Sequence, residues 1–304
     1  MKLGVDIGGT KCAVVLGDTE GIIKKIRFAT TTYEETMENI RNAIREMDGY
    51  DAIGISCGGP LDSKKGLILS PPNLVGWDNV PITSMLSEEF GVPVCLCNDA
   101  DACALAEWKF GAGKGTENMI FLTFGTGMGA GLILNGKLYS GTNGMAGEVG
   151  HMRMSENGPV GYGKAGSFEG FCSGGGIAQI GKTLALEQLQ MGKTLPYCKT
   201  PKELENITAK LLAAYAYEGD ALAKEAYRLS GEMLGRGLAF LIDVFNPEKI
   251  VIGSVFARAE DLLRPHMEKI LKKEALPTSY AACEIVPAAL GDSIGDYAAL
   301  AVAK

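Results

Sequence analysis

The chain has 304 residues, more than one hydrophobic core usually spans, so we expect two domains. Its content of hydrophobic (46%) and charged (21%) residues is typical of a globular protein, whereas its 41 glycines predict many tight turns and close backbone contacts. The net charge of −7 and the lack of a Lys/Arg cluster argue against a nucleic-acid-binding surface and favour a small-molecule partner.

No membrane or secretory segment is predicted. The N-terminus MKLGVDIGGTK lacks an apolar signal-peptide core, and no uninterrupted apolar run reaches about 18 residues, so we expect a cytoplasmic protein without a membrane partner. The eight cysteines form no C-x-x-C pair, which indicates neither a disulfide framework nor a zinc ribbon. Cys95 and Cys97 share one strand face and are expected to be small buried hydrophobes.

The first third of the chain predicts the order βββαβα. Short apolar runs bounded by turns indicate strands, a period near 3.6 indicates helices, and glycine-rich turns separate several of them. The predicted elements are strands at 2–6, 11–17 and 22–30, a helix at 34–47, strands at 51–56 and 92–97, and a helix that opens at Asn98. A loop that contains Pro71 and Pro72 joins the last two strands.

The same order restarts further along the chain. Residues 118–141 repeat the pattern of residues 3–25: strand, glycine turn with threonine, strand, polar turn, strand. The remaining elements are a helical region at about 175–245, a strand at 249–254, a helix, a strand at 283–287 and a final helix from about 293. We therefore predict an α/β fold of two duplicated lobes that face each other across a cleft.

Two glycine turns, DIGGTK (6–11) and FGTGMGAG (124–131), each follow a strand. Without Cβ atoms in the way, the backbone N–H groups of such turns can approach a bound oxyanion. Each turn alone is also consistent with a tight hairpin, but two turns at equivalent positions favour a pair of phosphate-binding loops. Neither matches the Walker A motif or a G-x-G-x-x-G between a strand and a helix.

Four motifs in chain order resemble the ROK family of bacterial sugar kinases and sugar-responsive repressors: DIGGTK, NDAD (98–101), FGTGMGAG, and AGEVGH (146–151) followed by E-x-x-x-SG. The likeness runs through nearly the whole chain. It implies the hexokinase/actin-like superfamily, with two ribonuclease H-like βββαβα lobes flanking an ATP/sugar cleft. The lobes are expected at 1–112 with the C-terminal helix 292–304, and at 113–291.

The resemblance also implies an ATP and Mg²⁺ site. Asp6 resembles the family aspartate that faces Mg²⁺, usually through water, and the structural alternative is an Asx-turn residue at a strand end. The segment IVIGSVFA (250–257) keeps one glycine where the family often has three around the adenosine. The residues implied to bind ATP or its phosphates are Gly8, Gly9, Thr10, Lys11, Gly125, Thr126, Gly127 and Gly253.

Asp99 resembles the catalytic base of the family, which accepts the proton of a sugar hydroxyl as the γ-phosphoryl group arrives. The alternative is a capping role, in which Asn98 or Asp99 accepts hydrogen bonds from N–H groups at the helix start. Trp77 is expected in the core. The implied sugar-binding residues are Gly59, Asn73, Asn98, Asp99, Glu148, His151 and Glu169.

One departure from the family concerns zinc. The family histidine of G-E-x-G-H usually binds a structural zinc together with three cysteines. Here Val160, Tyr162 and Ser167 occupy the expected cysteine positions, so we predict no zinc site and a loop held by glycine turns and packing. His151 then either contacts the sugar or only holds this loop together. The other histidine, His266, is expected at a surface or an interface.

The resemblance therefore predicts ATP-dependent phosphorylation of a hexose, with Mg²⁺, with Asp99 as general base and with glucose as the first candidate. Fructose, mannose, allose and N-acylhexosamines stay open as substrates. Two other classes are a sugar-binding regulator and an ATPase without a sugar substrate. Because the first strand starts at residue 2, we expect no N-terminal helix-turn-helix domain and no nucleic-acid partner. A homodimer is the assembly that the family resemblance implies.

Overall fold

The structure, a computed structural model, describes residues 1–304. Its strands are β1 (Lys2–Ile7), β2 (Lys11–Gly17), β3 (Ile22–Ala29), β4 (Ile53–Cys57), β5 (Leu61–Asp62), β6 (Leu67–Ile68), β7 (Val94–Asn98), β8 (Met119–Leu122), β9 (Ala130–Leu134), β10 (Lys137–Leu138), β11 (Val160–Gly161), β12 (Lys164–Ala165), β13 (Lys249–Ile252) and β14 (Glu284–Pro287). Its α-helices are α1 (Tyr33–Arg45), α2 (Ile82–Phe90), α3 (Asp99–Phe110), α4 (Phe168–Phe171), α5 (Gly174–Gln190), α6 (Ala209–Tyr217), α7 (Ala221–Phe245), α8 (Val255–Arg258), α9 (Glu260–Glu274), α10 (Pro277–Ala281) and α11 (Ile294–Val302).

Two five-stranded sheets share one strand arrangement. The first has the order β3-β2-β1-β4-β7, and the second has the order β10-β9-β8-β13-β14. In the first sheet β1, β2 and β3 form an antiparallel meander, while β4 and β7 run parallel to β1. In the second sheet β13 and β14 are likewise parallel. The predicted duplication of an α/β lobe is therefore confirmed.

The chain divides into two compact units. The first unit comprises Met1–Phe121, Gly131–Ala146 and Ala288–Lys304, and the second comprises Leu122–Ala130 and Gly147–Pro287. The C-terminal segment belongs to the first unit, where the sequence also placed residues 292–304. The segment 131–146, which the sequence assigned to the second lobe, belongs to the first unit as well.

The C-terminal helix packs on the N-terminal sheet because two strand glycines leave room for its backbone. Gly4 of β1 and Gly54 of β4 are partners in the sheet register. A Cβ atom placed on Gly4 would lie 2.4 Å from the backbone nitrogen of Leu300, and one on Gly54 would lie 2.4 Å from the carbonyl oxygen of Ala299. Side chains at these positions would push α11 off the sheet, so the glycines bring its first turn close to the end of β1.

A buried carboxylate fixes the segment that leads into α11. Glu107 of α3 is fully buried and accepts hydrogen bonds from the backbone N–H groups of Ala112 (2.8 Å), Ala289 (3.2 Å) and Leu290 (2.9 Å). Several hydrogen bonds of this kind compensate a carboxylate for the loss of water. They join the C-terminal segment to the helix that carries Asp99.

Helices α7 and α9 pack closely in the second unit. A Cβ atom on Gly231 of α7 would lie 2.7 Å from the carbonyl oxygen of Leu263, and one on Gly235 would lie 2.5 Å from that of Met267. These two glycines, one turn apart, let the helix backbones approach each other. His266 is half-buried on the same face of α9, beside Gly231.

The stretch between the strands at 51–56 and 92–97 holds more regular structure than the predicted loop. Strands β5 and β6 pair there, and α2 follows without a side-chain hydrogen bond at its N-cap, Pro81. Trp77 is fully buried with its ring against Tyr33, which confirms its predicted place in the core. Cys97 is buried as predicted, whereas Cys95 is only half-buried. None of the helices is both long and apolar enough to cross a membrane.

Candidate active site

Three parallel strands of the first unit end at one edge of its sheet, and a candidate residue lies at or just after each end. β1 carries Asp6, β4 leads into the turn with Gly59, and β7 ends at Asn98. In the register Ile7 lies opposite Cys57, and Cys57 lies opposite Asn98. The carboxyl ends of neighbouring parallel strands are a common place for ligands in α/β proteins. The sheet therefore gathers three predicted site residues at one edge.

Asn98 is the N-cap of α3, and Asp99 is the first residue of the helix. The Oδ1 atom of Asn98 accepts a hydrogen bond from the Ala100 N–H at 3.0 Å, and the Oδ1 atom of Asp99 accepts from the same N–H at 2.8 Å. The Oδ2 atom of Asp99 lies 3.8 Å from the position of a Cβ atom on Gly58. Both side chains thus accept from an N–H group at the helix start, as the capping interpretation expects, but Asp99 uses only Oδ1 for this and directs Oδ2 toward the turn after β4.

Asp99 is open to solvent, yet the surrounding protein displaces enough water to change its acidity. Desolvation raises its pKa and outweighs the backbone hydrogen bonds, which lower it. The raised pKa makes the ionised carboxylate a stronger proton acceptor. Its position at a helix N-terminus supports the ionised form.

Asp6 is a half-buried carboxyl with other carboxylates around it. Desolvation is the largest cause that raises its pKa to about 6, followed by repulsion from Asp296 and Asp99. The positive charges of Lys11 and Lys25 lower the pKa without cancelling this effect. A cation near Asp6 would therefore relieve a repulsion that the folded chain leaves in place.

Asp296 and Lys25 are among the charged residues near Asp6, although the sequence did not predict them. Asp296, in the first turn of α11, is 5% exposed and forms an ion pair with Lys25 of β3. The neighbouring Gly295 lies so close to Asp6 that a Cβ atom on it would be 2.9 Å from the Asp6 Oδ2. The sequence signal for Asp296 is a single charged residue in the helix IGDYAALAV.

The first glycine turn joins β1 to β2. The Gly8 N–H donates to the carbonyl oxygen of Lys11 at 3.2 Å, and the Thr30 hydroxyl donates to the carbonyl oxygen of Gly8 at 2.6 Å. A Cβ atom on Gly9 would lie 2.7 Å from the Cβ of Asn73, so this position has no room for a side chain. The turn therefore brings a predicted phosphate-binding residue next to a predicted sugar-binding residue.

The second glycine turn is tied to Glu169 of α4. The Glu169 Oε2 accepts a hydrogen bond from the Met128 N–H at 2.9 Å, and a Cβ atom on Gly127 would lie 2.6 Å from the same oxygen. The Gly174 N–H donates to the carbonyl oxygen of Gly125 at 2.8 Å. Glu169 thus fixes the shape of the turn with one oxygen, which leaves Oε1 as the candidate ligand atom.

The G-E-x-G-H segment packs on this same turn. A Cβ atom on Gly150 would lie 2.2 Å from the carbonyl oxygen of Met128, so only glycine allows the contact. A short 3₁₀ helix, Val149–His151, follows Glu148. Glu148 and His151 are both exposed at its two ends. Gly150 therefore packs this segment on the second glycine turn, and the spacing of the motif leaves Glu148 and His151 exposed.

A β-hairpin and the start of α4 occupy the positions where the family has cysteines, and the sequence did not predict either element. Val160 lies in β11, Tyr162 lies at the tip between β11 and β12, and Ser167 caps α4 by accepting a hydrogen bond from the Gly170 N–H at 3.0 Å. The Gln179 amide donates to the Val160 carbonyl at 2.8 Å and accepts from the Val160 N–H at 2.9 Å. Backbone hydrogen bonds and this amide pair hold the loop.

The segment around Gly253 has one glycine where the family often has three, yet the next residue, Ser254, adopts a positive-φ backbone of the kind that glycine favours. The Gly253 N–H donates to the Leu122 carbonyl at 3.0 Å, which extends the pairing beyond β13. The next residue, Ser254, has φ 54° and ψ −109°, a conformation that costs a side-chain-bearing residue on the order of 1–3 kcal/mol. Its Oγ lies 3.8 Å from the position of a Cβ atom on Gly125. The strained serine therefore lies next to the second glycine turn.

The predicted site residues divide between the two compact units. Those in the first unit are Asp6, Gly8, Gly9, Thr10, Lys11, Gly59, Asn73, Asn98 and Asp99. Those in the second unit are Gly125, Thr126, Gly127, Glu148, His151, Glu169 and Gly253. Each unit thus holds one glycine turn together with acidic or amide side chains that can pair with hydroxyl groups.

The whole chain matches a known protein family: the model of the ROK family covers residues 2–304. The chain belongs to the ROK family. This ROK protein is similar to a glucokinase of Halalkalibacterium halodurans, 34% identical over 96% of this chain and 92% of that protein. It is also similar to an N-acetylmannosamine kinase of Escherichia coli, 31% identical over 86% of this chain and 85% of that protein.

Among solved structures, the ROK chain is similar to a ROK family glucokinase from Streptomyces griseus in complex with glucose and AMPPNP. The two chains are 30% identical and superpose with a TM-score of 0.74, which covers 98% of this chain and 97% of that one. The family resemblance and the α/β fold class predicted from the sequence are thereby confirmed.

Proposed function

We propose that this ROK protein transfers the γ-phosphoryl group of ATP to a hydroxyl of a hexose, with Asp99 as general base. The broader assignment, a sugar kinase, rests on family membership and on similarity to glucokinases over nearly the whole chain. The observation that carries the finer proposal is the position of Asp99, whose Oδ2 is directed to the turn with Gly58 and Gly59 while Asn98 caps the helix.

In the proposed step, the Asp99 carboxylate accepts the proton of the sugar hydroxyl. The hydroxyl oxygen forms a bond to the γ-phosphorus as the bond between that phosphorus and the β,γ-bridging oxygen breaks. The bridging oxygen keeps the electron pair of the broken bond and leaves with ADP. The desolvation that raises the Asp99 pKa favours this proton transfer because it strengthens the base.

The surround of Asp6 fits Mg²⁺. Its carboxyl is desolvated and repelled by Asp296 and Asp99, and a divalent cation would offset both effects. No group of three or more His, Cys, Asp or Glu side chains is arranged to bind a metal ion by itself. Mg²⁺ at kinase sites usually binds through one or two carboxylates, waters and substrate phosphates. Asp6 would hold the ion through water, and the ion would supply charge neutralisation at the phosphates.

The glycine turns are the proposed phosphate sites because a glycine backbone has no Cβ atom in the way of an oxyanion. The N–H groups of Gly8 and Gly125 already donate to the carbonyl oxygens of Lys11 and Gly127, so the proposed donors to phosphate are the other N–H groups of each turn. We assign ATP to the turn 8–11, the turn 125–127 and Gly253. The strained Ser254 beside Gly125 supports a functional role for this segment, since strain of this kind clusters at ligand sites. The cytoplasm, where ATP is available, is the proposed location.

The sugar is assigned to a set of residues that can form hydrogen bonds with hydroxyl groups. Carboxylates accept hydrogen bonds from hydroxyl groups, and asparagine amides both donate and accept. Glucose is the first candidate because two of the similar proteins described above are glucokinases, and an N-acylhexosamine is the next because one is an N-acetylmannosamine kinase. The assigned residues are Gly59, Asn73, Asn98, Asp99, Glu148, His151 and Glu169.

ADP release from Mg-ATP, measured with glucose, fructose, mannose, allose and N-acetylmannosamine, tests the proposal. We expect one sugar to raise the rate by about a hundredfold or more over the rate without sugar. Sugar binding in calorimetry without sugar-dependent ADP release would instead indicate a regulator. Equal ADP release with and without sugar would indicate an ATPase, and either result would overturn the proposal. Metal analysis of the same sample is expected to find no zinc bound at one ion per chain.

We also propose that the protein is a homodimer that uses α7 of the second unit. Phe240 and Val244 of α7 are each 56% exposed, and Leu276, whose N–H donates to the Asp243 carboxylate, is 57% exposed. Arg236 and Asp243 flank Phe240 in one shallow groove. If two α7 helices pack antiparallel about a two-fold axis, Arg236 of each copy faces Asp243 of the other with Phe240 at the centre.

The substitution Phe240→Glu is expected to convert the dimer to a monomer, because it places two like charges at the centre of this contact. Size-exclusion chromatography with light scattering gives the mass of each form. The control is Ile23→Glu, which adds the same charge at a 60% exposed residue of β3 in the other unit, and is expected to stay dimeric. A dimeric mass for Phe240→Glu would rule out this surface as the interface.

A further inference from the structure

We propose that Tyr162 is a positioning residue that holds the imidazole of His151 in the orientation that meets the sugar. This inference rests on the proposed function, in which His151 is a sugar-binding residue. It gives a role to a residue that stands at one of the expected cysteine positions and that the hairpin of β11 and β12 places beside His151. Its basis is the backbone of the hairpin tip, the exposure of Tyr162 and its ring contact.

Tyr162 has an unusual backbone for a bulky residue. Strands β11 and β12 pair through Gly161 and Lys164, so Tyr162 and Gly163 form the two-residue tip. Both tip residues have left-handed backbones, with φ 45° at Tyr162 and φ 75° at Gly163. Turns of this kind favour asparagine, aspartate or glycine, because a Cβ atom is strained at positive φ. A tyrosine at this position therefore destabilises the turn, and the turn itself does not compensate for this.

The tyrosine side chain also gains little from burial. Tyr162 is 84% exposed, so it contributes almost no apolar contact to the core of the second unit. Neither the turn nor the core explains the choice of an aromatic residue. The explanation must lie in what the ring contacts at the surface.

The ring of Tyr162 contacts the imidazole of His151. The ring centroids lie 5.2 Å apart, and the ring planes meet at 80°, an edge-to-face arrangement. Aromatic pairs favour this geometry because the positive edge of one ring meets the negative face of the other. The contact favours one orientation of an exposed imidazole and thereby orients its ring nitrogens.

The hairpin that carries Tyr162 is itself fixed on both sides. The Gln179 amide pairs with the backbone N–H and carbonyl of Val160 at 2.9 and 2.8 Å, which holds β11 against α5. The Lys164 ammonium of β12 donates to the carbonyl oxygen of His151 at 2.5 Å, which ties the hairpin to the segment that it covers. The hydrogen bonds of β11 and β12 therefore hold in place the hairpin from which Tyr162 contacts His151.

Tyr162→Ala is expected to raise the KM for the sugar about threefold to tenfold, with kcat and the KM for ATP within twofold. Tyr162→Phe keeps the ring and is expected to behave like the unmodified protein. Tyr162→Gly removes the backbone strain together with the ring, so it is expected to unfold at a temperature no lower than the unmodified protein while it shows the same raised KM. A merely structural role in the turn would leave Tyr162→Gly unchanged in KM.

NMR gives a readout that needs no catalysis. The chain has two histidines, so a His266→Gln background leaves the imidazole resonances of His151 alone. Loss of the neighbouring ring in Tyr162→Ala is expected to shift the His151 Hε1 resonance, whereas Tyr162→Phe keeps it. The control is Tyr217→Ala, which removes a 53% exposed tyrosine from α6 of the same unit and is expected to change neither resonance nor KM.

The outcomes separate the two levels of the inference. A His151 resonance that does not move in Tyr162→Ala overturns the contact, and a resonance that moves while the sugar KM stays constant overturns the positioning role. If no sugar stimulates ADP release by the unmodified protein, the proposed function fails. The resonance comparison, repeated with each sugar at saturation, then decides by itself whether Tyr162 controls how His151 meets a ligand.

Discussion

Asp99→Asn is expected to lower the sugar-dependent kcat about a thousandfold while the KM for the sugar changes no more than a few-fold. The amide has nearly the shape of the carboxylate and can still meet a hydroxyl, but it cannot accept the proton. General-base catalysis contributes about 10²–10⁴ in rate, which sets the size of the expected loss. Coupled measurement of ADP release at saturating Mg-ATP gives both constants.

The control for this prediction is Asp48→Asn, which neutralises an exposed aspartate that is not a candidate site residue. It is expected to keep the activity of the unmodified protein. Because the Asp99 pKa is raised, the rate should also fall on the acid side as protons occupy the carboxylate. An Asp99→Asn variant within tenfold of the unmodified kcat would show that another group accepts the proton.

Asp6→Asn is expected to lower kcat at least about a hundredfold and, in Mg²⁺-free buffer at pH 8, to raise the free energy of unfolding by about 1–2 kcal/mol. The Asp6 pKa rises from 3.8 to about 6 on folding, first by desolvation and then by Asp296 and Asp99. The folded state thus favours the protonated carboxyl, so the stabilisation is complete below about pH 4 and is lost as the pH rises through about 6. The neutral amide avoids this loss.

Denaturant unfolding between pH 4 and pH 8 checks this prediction. The advantage of Asp6→Asn should be largest at pH 8 and should become small near pH 4, where the folded carboxyl of the unmodified protein is protonated and the unfolded one, with a pKa of 3.8, is only partly ionised. Asp48→Asn again serves as the control and is expected to show no such pH dependence. An Asp6→Asn variant that is less stable at pH 8 would contradict the assignment of an electrostatic cost to Asp6.

Substitutions of two neighbours of Asp6 are expected to shift, in opposite directions, the pH at which the stabilisation by the protonated Asp6 is lost. Asp296→Asn removes a negative charge, which should lower the Asp6 pKa below 6, whereas Lys25→Met removes a positive charge and leaves Asp296 unpaired, which should raise it. Comparison of each variant with its own Asp6→Asn derivative isolates the contribution of Asp6. Midpoints that shift in the same direction would indicate a structural change rather than a charge effect.

The strands and long helices follow from local patterns, and the sequence predicted them well. The short apolar runs of β1 and β2 and the N-cap of α3 at Asn98 need only neighbours along the chain. The shorter elements were not predicted from the sequence. α2 has no capping side chain, and the hairpin of β11 and β12 has two residues in each strand, so neither has enough length for a period to show.

The candidate site likewise contains residues that sequence motifs identify and residues that only the fold brings together. Motifs identify the glycine turns and Asp99, since each depends on residues that are adjacent in the sequence. Lys25 and Asp296 are 271 residues apart, and only the packing of α11 on β1 and β4 brings them to Asp6. The contact between Tyr162 and His151 likewise depends on the fold of a hairpin that no motif predicted.

The sequence by itself determined the family, the duplicated α/β lobes and the residues of the two glycine turns, because these are properties of local patterns and of their order. Only the tertiary structure decided which charges surround Asp6 and which ring holds His151. The charges around Asp6 depend on the close approach of α11 to the sheet that Gly4 and Gly54 permit, and the ring contact depends on a hairpin that the Gln179 amide holds in place. Neither arrangement can be read from residues that are adjacent in the sequence. The acidity of Asp6, as a result, is a property of the fold and not of the motif that contains it.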